Sequence, residues 1–232
     1  MASPIAPESP LELESHRIPP PPASAGLSGA PAESRECFLL FHSISKKHNI
    51  GTMLRTAAAF GVKEALVAGG CFSVFGAKGA ERHVPVREFE RLADAASWVK
   101  ARGARLVGIE ISRDAVDVAT RPFSGSVCFL AGNEGAGLSE AQKALCDDIV
   151  YIRHFGNGTA SLNVATATAI VLHHYAEWSG RPERAREEGR DKFFVEPISG
   201  PIDSELAHDK RAERARAREP DSEERDTIYF PQ

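Results

Sequence analysis

Short, unbroken apolar runs recur between helical stretches along residues 37–178, and this alternation restricts the fold more than any other property of the chain. The segment 37–42, CFLLFH, has no polar face, so as a strand it must be covered on both sides. Runs at 64–68, 105–111 (RLVGIEI), 126–130 (SVCFL) and 149–152 (IVYI) read the same way, with a further short strand at 84–87. Between them, residues 49–60 place Met53, Leu54, Ala57, Ala58 and Phe60 at helical spacing, and 92–101 puts Leu92, Ala95, Ala96 and Val99 on one face. A short helix at 139–146 and a long one at 162–178 complete the series. Doubly covered strands separated by helices predict an α/β domain, a mostly parallel sheet with helices on both faces.

Composition bounds the rest. The chain has 232 residues and 42% hydrophobic content, enough for one domain of ordinary size with extensions. Residues 1–35 are rich in Pro, Ala and Ser and are expected to be a disordered leader, residues 36–180 the globular domain, and residues 181–232 a solvated tail of alternating charge, disordered or partly helical. Within that tail Phe193, Phe194 and Val195 form an apolar island expected to dock on the domain as a short strand. The net charge of -4 neither favours nor excludes a nucleic-acid partner, because it averages over both flanks. Cys37, Cys71, Cys128 and Cys146 contain no CxxC pair, and no two histidines have convincing metal-ligand spacing, so no metal site is expected and free thiols in a reducing compartment are. No apolar stretch approaches the length needed to cross a bilayer. A soluble, intracellular protein is expected, cytoplasmic by default, with an organellar destination left open by the leader.

Three segments carry candidate chemistry. In GNGTASLNVATAT, residues 156–168, Gly156 and Gly158 permit backbone conformations and close approaches that a side chain would block, and Ser161 or Asn163 is placed to cap the helix that follows. That junction suits either a capped helix or a helix start facing a ligand. After the strand ending at Leu130 comes AGNEGAGLS, residues 131–139, three glycines around Asn133 and Glu134. Its order is not that of a dinucleotide-binding fingerprint, and it reads either as a tight turn capped by Ser139 or as a turn fitted against a cofactor. The third segment, NIGTMLRTAAAFG at 49–61, begins with Asn49 and interrupts an apolar helix with Arg55. An arginine so placed reaches for water, pairs with a carboxylate, or contacts an anion.

Taken in order, N49-x-G51-x3-R55 with F60-G61, then G132-N-E-G-x-G-L-S139, then S161-L-N-V164, resemble the three motifs of the SpoU family of ribose 2'-O-methyltransferases, part of the SPOUT class. The resemblance spans residues 37–178 and is to the minimal members without a separate RNA-binding domain. It implies a trefoil knot at the carboxyl end of the domain, S-adenosylmethionine as cofactor, tRNA or rRNA as substrate, and a homodimer. It also implies catalytic roles for Arg55, Asn49, Glu134, Ser161 and Asn163, and cofactor contacts from Leu130, Gly132, Asn133, Gly135, Gly137, Ile152, Ser161 and Leu162. On that reading Arg55 stabilises charge and holds a phosphate, oriented by Asn49 and Glu134. Two departures stand out: Lys47 occupies a position where many members have proline, and the loop at 156–160 is about one residue longer than in several bacterial members. A non-catalytic RNA-binding protein of the same fold and a SPOUT base methyltransferase are the alternatives. His48 and His154 lie beside the candidate segments, and either is placed to touch RNA.

Overall fold

A computed structural model describes residues 35–69, 77, 79–186 and 193–195. The leader, most of the charged tail and Cys71 lie outside them. Seven strands form one sheet in the order β3-β2-β1-β6-β4-β7-β5. They are β1 (Cys37–His42), β2 (Glu64–Ala68), β3 (Val86–Phe89), β4 (Arg105–Ile109), β5 (Val116–Asp117), β6 (Val127–Ala131) and β7 (Asp148–Tyr151). Every pairing is parallel. The helices are α1 (Lys47–Ala59), α2 (Leu92–Ala101), α3 (Glu140–Lys143) and α4 (Val164–Ser179).

The period of two along each central strand divides the core. Cys37, Leu39 and Phe41 of β1, with Val127, Phe129 and Ala131 of β6, face a layer that contains Met53, Leu54 and Ala57 of α1 and Val171, Leu172 and Tyr175 of α4. The intervening Phe38, Leu40, Cys128 and Leu130 face the opposite layer, with Ala95, Ala96 and Val99 of α2 and with Leu138, Leu145 and Cys146 around α3. Helices therefore cover both faces, which is why the inner strands carry no polar side. Burial pushes the Cys37 thiol up to about 12, against a smaller opposing effect of Arg181, so this cysteine is a protonated core residue.

Some boundaries differ from the sequence expectation for identifiable reasons. Helix α4 starts at Val164 rather than 162 because the Asn163 side chain accepts hydrogen bonds from the Ala165 and Thr166 amides, making Asn163 the cap and leaving Ser161 outside the helix. Helix α3 is only four residues long: Ser139 and Gln142 form a capping box at its start, and none of its residues is buried. Strand β5 was not expected, since two residues at a sheet edge leave no apolar run to read. The island at 193–195 pairs with residues 185 and 186, through a bridge between Arg186 and Phe193 and a Phe194-to-Ala185 backbone bond, and its side chains stay exposed. Among the described residues no helix is long and apolar enough to cross a membrane.

Register fixes where a ligand can sit. Phe41, Ala131, Ile109 and Val150 stand side by side on β1, β6, β4 and β7, so the loops leaving β6, β4 and β7 emerge together at one edge. In open parallel sheets that edge, beyond the carboxyl ends of the strands, is where ligands bind.

Candidate functional site

A cleft of about 250 Å³ opens at that edge. Its walls come from the ends of β4 and β7 (Ile109, Glu110, Ile111, Tyr151, Ile152), from the turn 132–137, and from the approach to α4 (Ser161, Leu162, Val164, Ala167). The turn is closed on itself: Asn133 and Gly137 exchange backbone hydrogen bonds at 3.0 and 2.9 Å, and the Asn133 Oδ1 accepts from the Gly135 and Ala136 amides at 2.9 and 3.0 Å. Glycine is required at two places in it. A Cβ on Gly132 would stand 2.9 Å from the Gly137 backbone carbon, and Gly137 has φ +66 with the Glu110 carboxylate packed where its Cβ would be. Glu110 fixes this contact by accepting from the Leu138 amide at 2.7 Å and the Ile111 amide at 2.8 Å.

Glu134, at the tip of the turn, binds the start of α1. Its Oε2 accepts from the Ser45 amide at 3.1 Å and the Ser45 hydroxyl at 3.0 Å, and its Oε1 accepts from the Lys46 amide at 2.9 Å and the Asn49 Nδ2 at 3.1 Å. Partial burial by itself would raise this carboxyl. The hydrogen bonds from Lys46, Ser45 and Asn49 outweigh burial and hold it at about 2. Asn49 is buried, and its Oδ1 in turn accepts from the Asn163 Nδ2 at 3.2 Å. Since Asn163 Oδ1 is occupied by the α4 amides, each amide group in the chain has one usable orientation: α4 donates to Asn163, Asn163 to Asn49, Asn49 to Glu134. Three segments far apart in sequence are thereby locked together beside the cleft.

Asn49, Glu134 and Asn163 thus meet directly, and Gly132, Asn133, Gly135, Gly137, Ile152, Ser161 and Leu162 line the cleft together with Glu134. Leu130 does not reach it, because its side chain is fully buried in the core layer beneath. Arg55 is exposed, outside the cleft lining, about 9 Å along α1 from Asn49 at the helical rise of 1.5 Å per residue. Among the described residues no hydrogen bond or ion pair joins Arg55 to Asn49 or Glu134, whose polar atoms serve one another, Ser45, Lys46 and Asn163; the expected orientation of Arg55 by this pair is not what they do within one chain. Gly156 and Gly158 also differ from expectation: neither has a left-handed φ, and a Cβ on either meets nothing within 4 Å. The conformational demand for glycine sits in the 132–137 turn instead. Glu110, Tyr151 and Ser45 were missed. Glu110 had a readable signal, an acid at the carboxyl end of an apolar strand, whereas Ser45, which contributes both its amide and its hydroxyl, left none.

Fold and site together define an α/β protein whose doubly covered parallel sheet carries a ligand cleft at its carboxyl edge, walled by a self-bonded glycine turn and a capped helix start. Within that class, the model of the SpoU rRNA Methylase family matches residues 36–173, and the chain belongs to this family. It is 31% identical over 134 residues to the tRNA (guanosine(18)-2'-O)-methyltransferase of Escherichia coli K12, covering 56% of this chain and 58% of that protein. Identity is 32% over 142 residues to the 23S rRNA (guanosine(2553)-2'-O)-methyltransferase RlmP of Bacillus subtilis, covering 59% and 56%. Among solved structures, the SpoU methyltransferase AviRb from Streptomyces viridochromogenes in complex with AdoMet superposes with a TM-score of 0.56 at 29% identity, covering 62% of this chain and 58% of that one. The chain spans somewhat over half the length of these relatives.

Proposed function

We propose that this protein is an S-adenosylmethionine-dependent RNA methyltransferase that methylates a ribose 2'-hydroxyl of tRNA or rRNA, with residues 36–180 as the methyltransferase domain. The observation that carries the reading is the hydrogen-bonded line Glu134–Asn49–Asn163, which gathers all three motif segments at one cleft. Family membership and the AdoMet complex of a relative support the cofactor. The family's trefoil knot is part of the proposal and rests on family membership.

The cleft suits the cofactor by its own chemistry. Ile109, Ile152, Leu162 and Ala167 offer apolar surface for an adenine ring, while the Glu110 carboxylate and the Ser161 hydroxyl offer polar contacts for ribose and amino-acid groups. The exposed backbone of Gly135 lets a ligand approach without obstruction. Bound there, S-adenosylmethionine supplies an electrophilic sulfonium methyl group.

The protein's task is then to present and activate a weak nucleophile. Asn49, Glu134 and Asn163 act as positioning residues that hold the α1 and α4 starts at the cleft. Arg55 holds a substrate phosphate and stabilises charge developing on the ribose oxygen; its guanidinium carries only donors and so does not act as an ordinary base, and the proton passes to phosphate or water. Arg55 is exposed and outside the cleft of its own chain, which supports a homodimer in which a second copy completes the site. Calorimetric titration with S-adenosylmethionine, followed by methyl transfer to total tRNA and to rRNA, tests the reading. Cofactor binding with transfer to one RNA pool is expected, and binding with transfer to neither rejects it.

A further inference from the structure

Phe155 directly follows His154, a lining residue of the cleft, and has 88% of its surface exposed, the highest value for a large apolar side chain among the described residues. Isolated exposed apolar residues are ordinary, so exposure alone assigns nothing. What distinguishes Phe155 is its support. The Arg153 guanidinium lies over its ring, 5.6 Å from the centroid. Arg153 is itself anchored, its Nε 2.7 Å from the Asp117 Oδ2, and Asp117 is fixed in turn by accepting from the Ala119 amide at 2.9 Å. The intervening residue, His154, lines the cleft. One face of the ring is therefore backed by a held cation while the ring remains open to solvent.

We propose that Phe155 is a stacking platform for a base of the RNA strand whose ribose enters the cleft. The inference rests on the methyl-transfer reading above. An aromatic ring backed by arginine, beside a site for a ribose, matches how single-stranded nucleic acid is held, by stacking on aromatic faces with cation–π support. Asp117 already balances the charge of Arg153, so the pair offers a polarised flat surface rather than net attraction for phosphate. Phenylalanine has no hydrogen-bonding group, so Phe155 contributes affinity and orientation without choosing among bases.

The test compares the wild type with Phe155→Ala and Phe155→Trp, using labelled total tRNA and labelled rRNA fragments as probes. Phe155→Ala is expected to weaken binding of the RNA that the protein recognises about tenfold, as loss of one stacked base does. It leaves the salt dependence of binding unchanged, because no phosphate contact is removed. Phe155→Trp is expected to keep wild-type affinity and to show fluorescence quenching on RNA addition, measured against the parent protein with Trp98 and Trp178 only. S-adenosylmethionine affinity stays within twofold in both variants. Phe155→Ala binding RNA within twofold of wild type overturns the proposal, as does a shift of Phe155→Ala to a smaller species in sedimentation, which would make the residue a contact between copies. Wild type that transfers no methyl group, yet with RNA-dependent quenching in Phe155→Trp, would reject the methyl-transfer reading and leave Phe155 as an RNA contact.

Discussion

Asn49 donates to the Glu134 carboxylate across 3.1 Å although 85 residues separate them in the chain. Because Asn49 also accepts from Asn163, removing its amide breaks two bonds and leaves a carboxylate and a helix cap short of partners. Asn49→Ala is expected to lower unfolding free energy by about 1–3 kcal/mol, the usual cost of unsatisfied polar groups at a partly buried site. Urea denaturation at neutral pH checks it, and methyl transfer should fall with it even at temperatures where the variant stays folded.

The same carboxylate predicts a pH signature. Glu134 is held at about 2, below the ordinary 4.5, so its contribution to stability is fully present above about 4.5 and is lost as pH falls toward 2. Glu134→Gln cannot gain this contribution. Measured from pH 7 downward, the stability gap between wild type and Glu134→Gln should be widest above 4.5 and close toward 2; a gap independent of pH in that range would count against the hydrogen-bonded carboxylate.

Two glycines separate packing demand from mere sequence pattern. Gly137→Ala forces a Cβ into the Glu110 carboxylate at a left-handed φ, and is expected to destabilise by about 1–3 kcal/mol and to weaken S-adenosylmethionine binding. Gly158→Ala meets nothing within 4 Å and should change stability by less than about 0.5 kcal/mol. Thermal melts with and without cofactor distinguish the two.

In the proposed mechanism Arg55 bears on the chemistry rather than on cofactor capture. Its exposure predicts that Arg55→Ala folds normally. Transfer should be abolished while S-adenosylmethionine affinity stays within a few-fold, and unchanged turnover would remove Arg55 from the proposed mechanism. Mixing Arg55→Ala with a cofactor-cleft variant such as Gly137→Ala should restore some activity if a second copy completes the site.

Much of this was legible in the sequence because a doubly buried strand has no polar side: CFLLFH and SVCFL could only lie inside a covered sheet, and both do. The Asn49, Glu134 and Asn163 positions were legible through motif order, but not their bonding, which depends on a register that sets β6 beside β1. That Arg55 touches neither Asn49 nor Glu134 within one chain was not legible, because six helical residues carry it around the helix from Asn49, which is buried while Arg55 is exposed. Gly156 and Gly158 drew attention by composition, whereas the glycines under steric demand, Gly132 and Gly137, are constrained by Glu110 and by one another. Nothing local in sequence announces a contact between residues 110 and 137.

The central claim is methyl transfer to ribose, and the most direct measurement is the chemical position of the label. After incubation with methyl-tritiated S-adenosylmethionine and total tRNA or rRNA, alkaline hydrolysis should leave tritium in alkali-resistant dinucleotides, since a 2'-O-methyl group blocks cleavage at that ribose. Tritium recovered only in mononucleotides, marking a methylated base, or no incorporation into either RNA pool, would contradict the account.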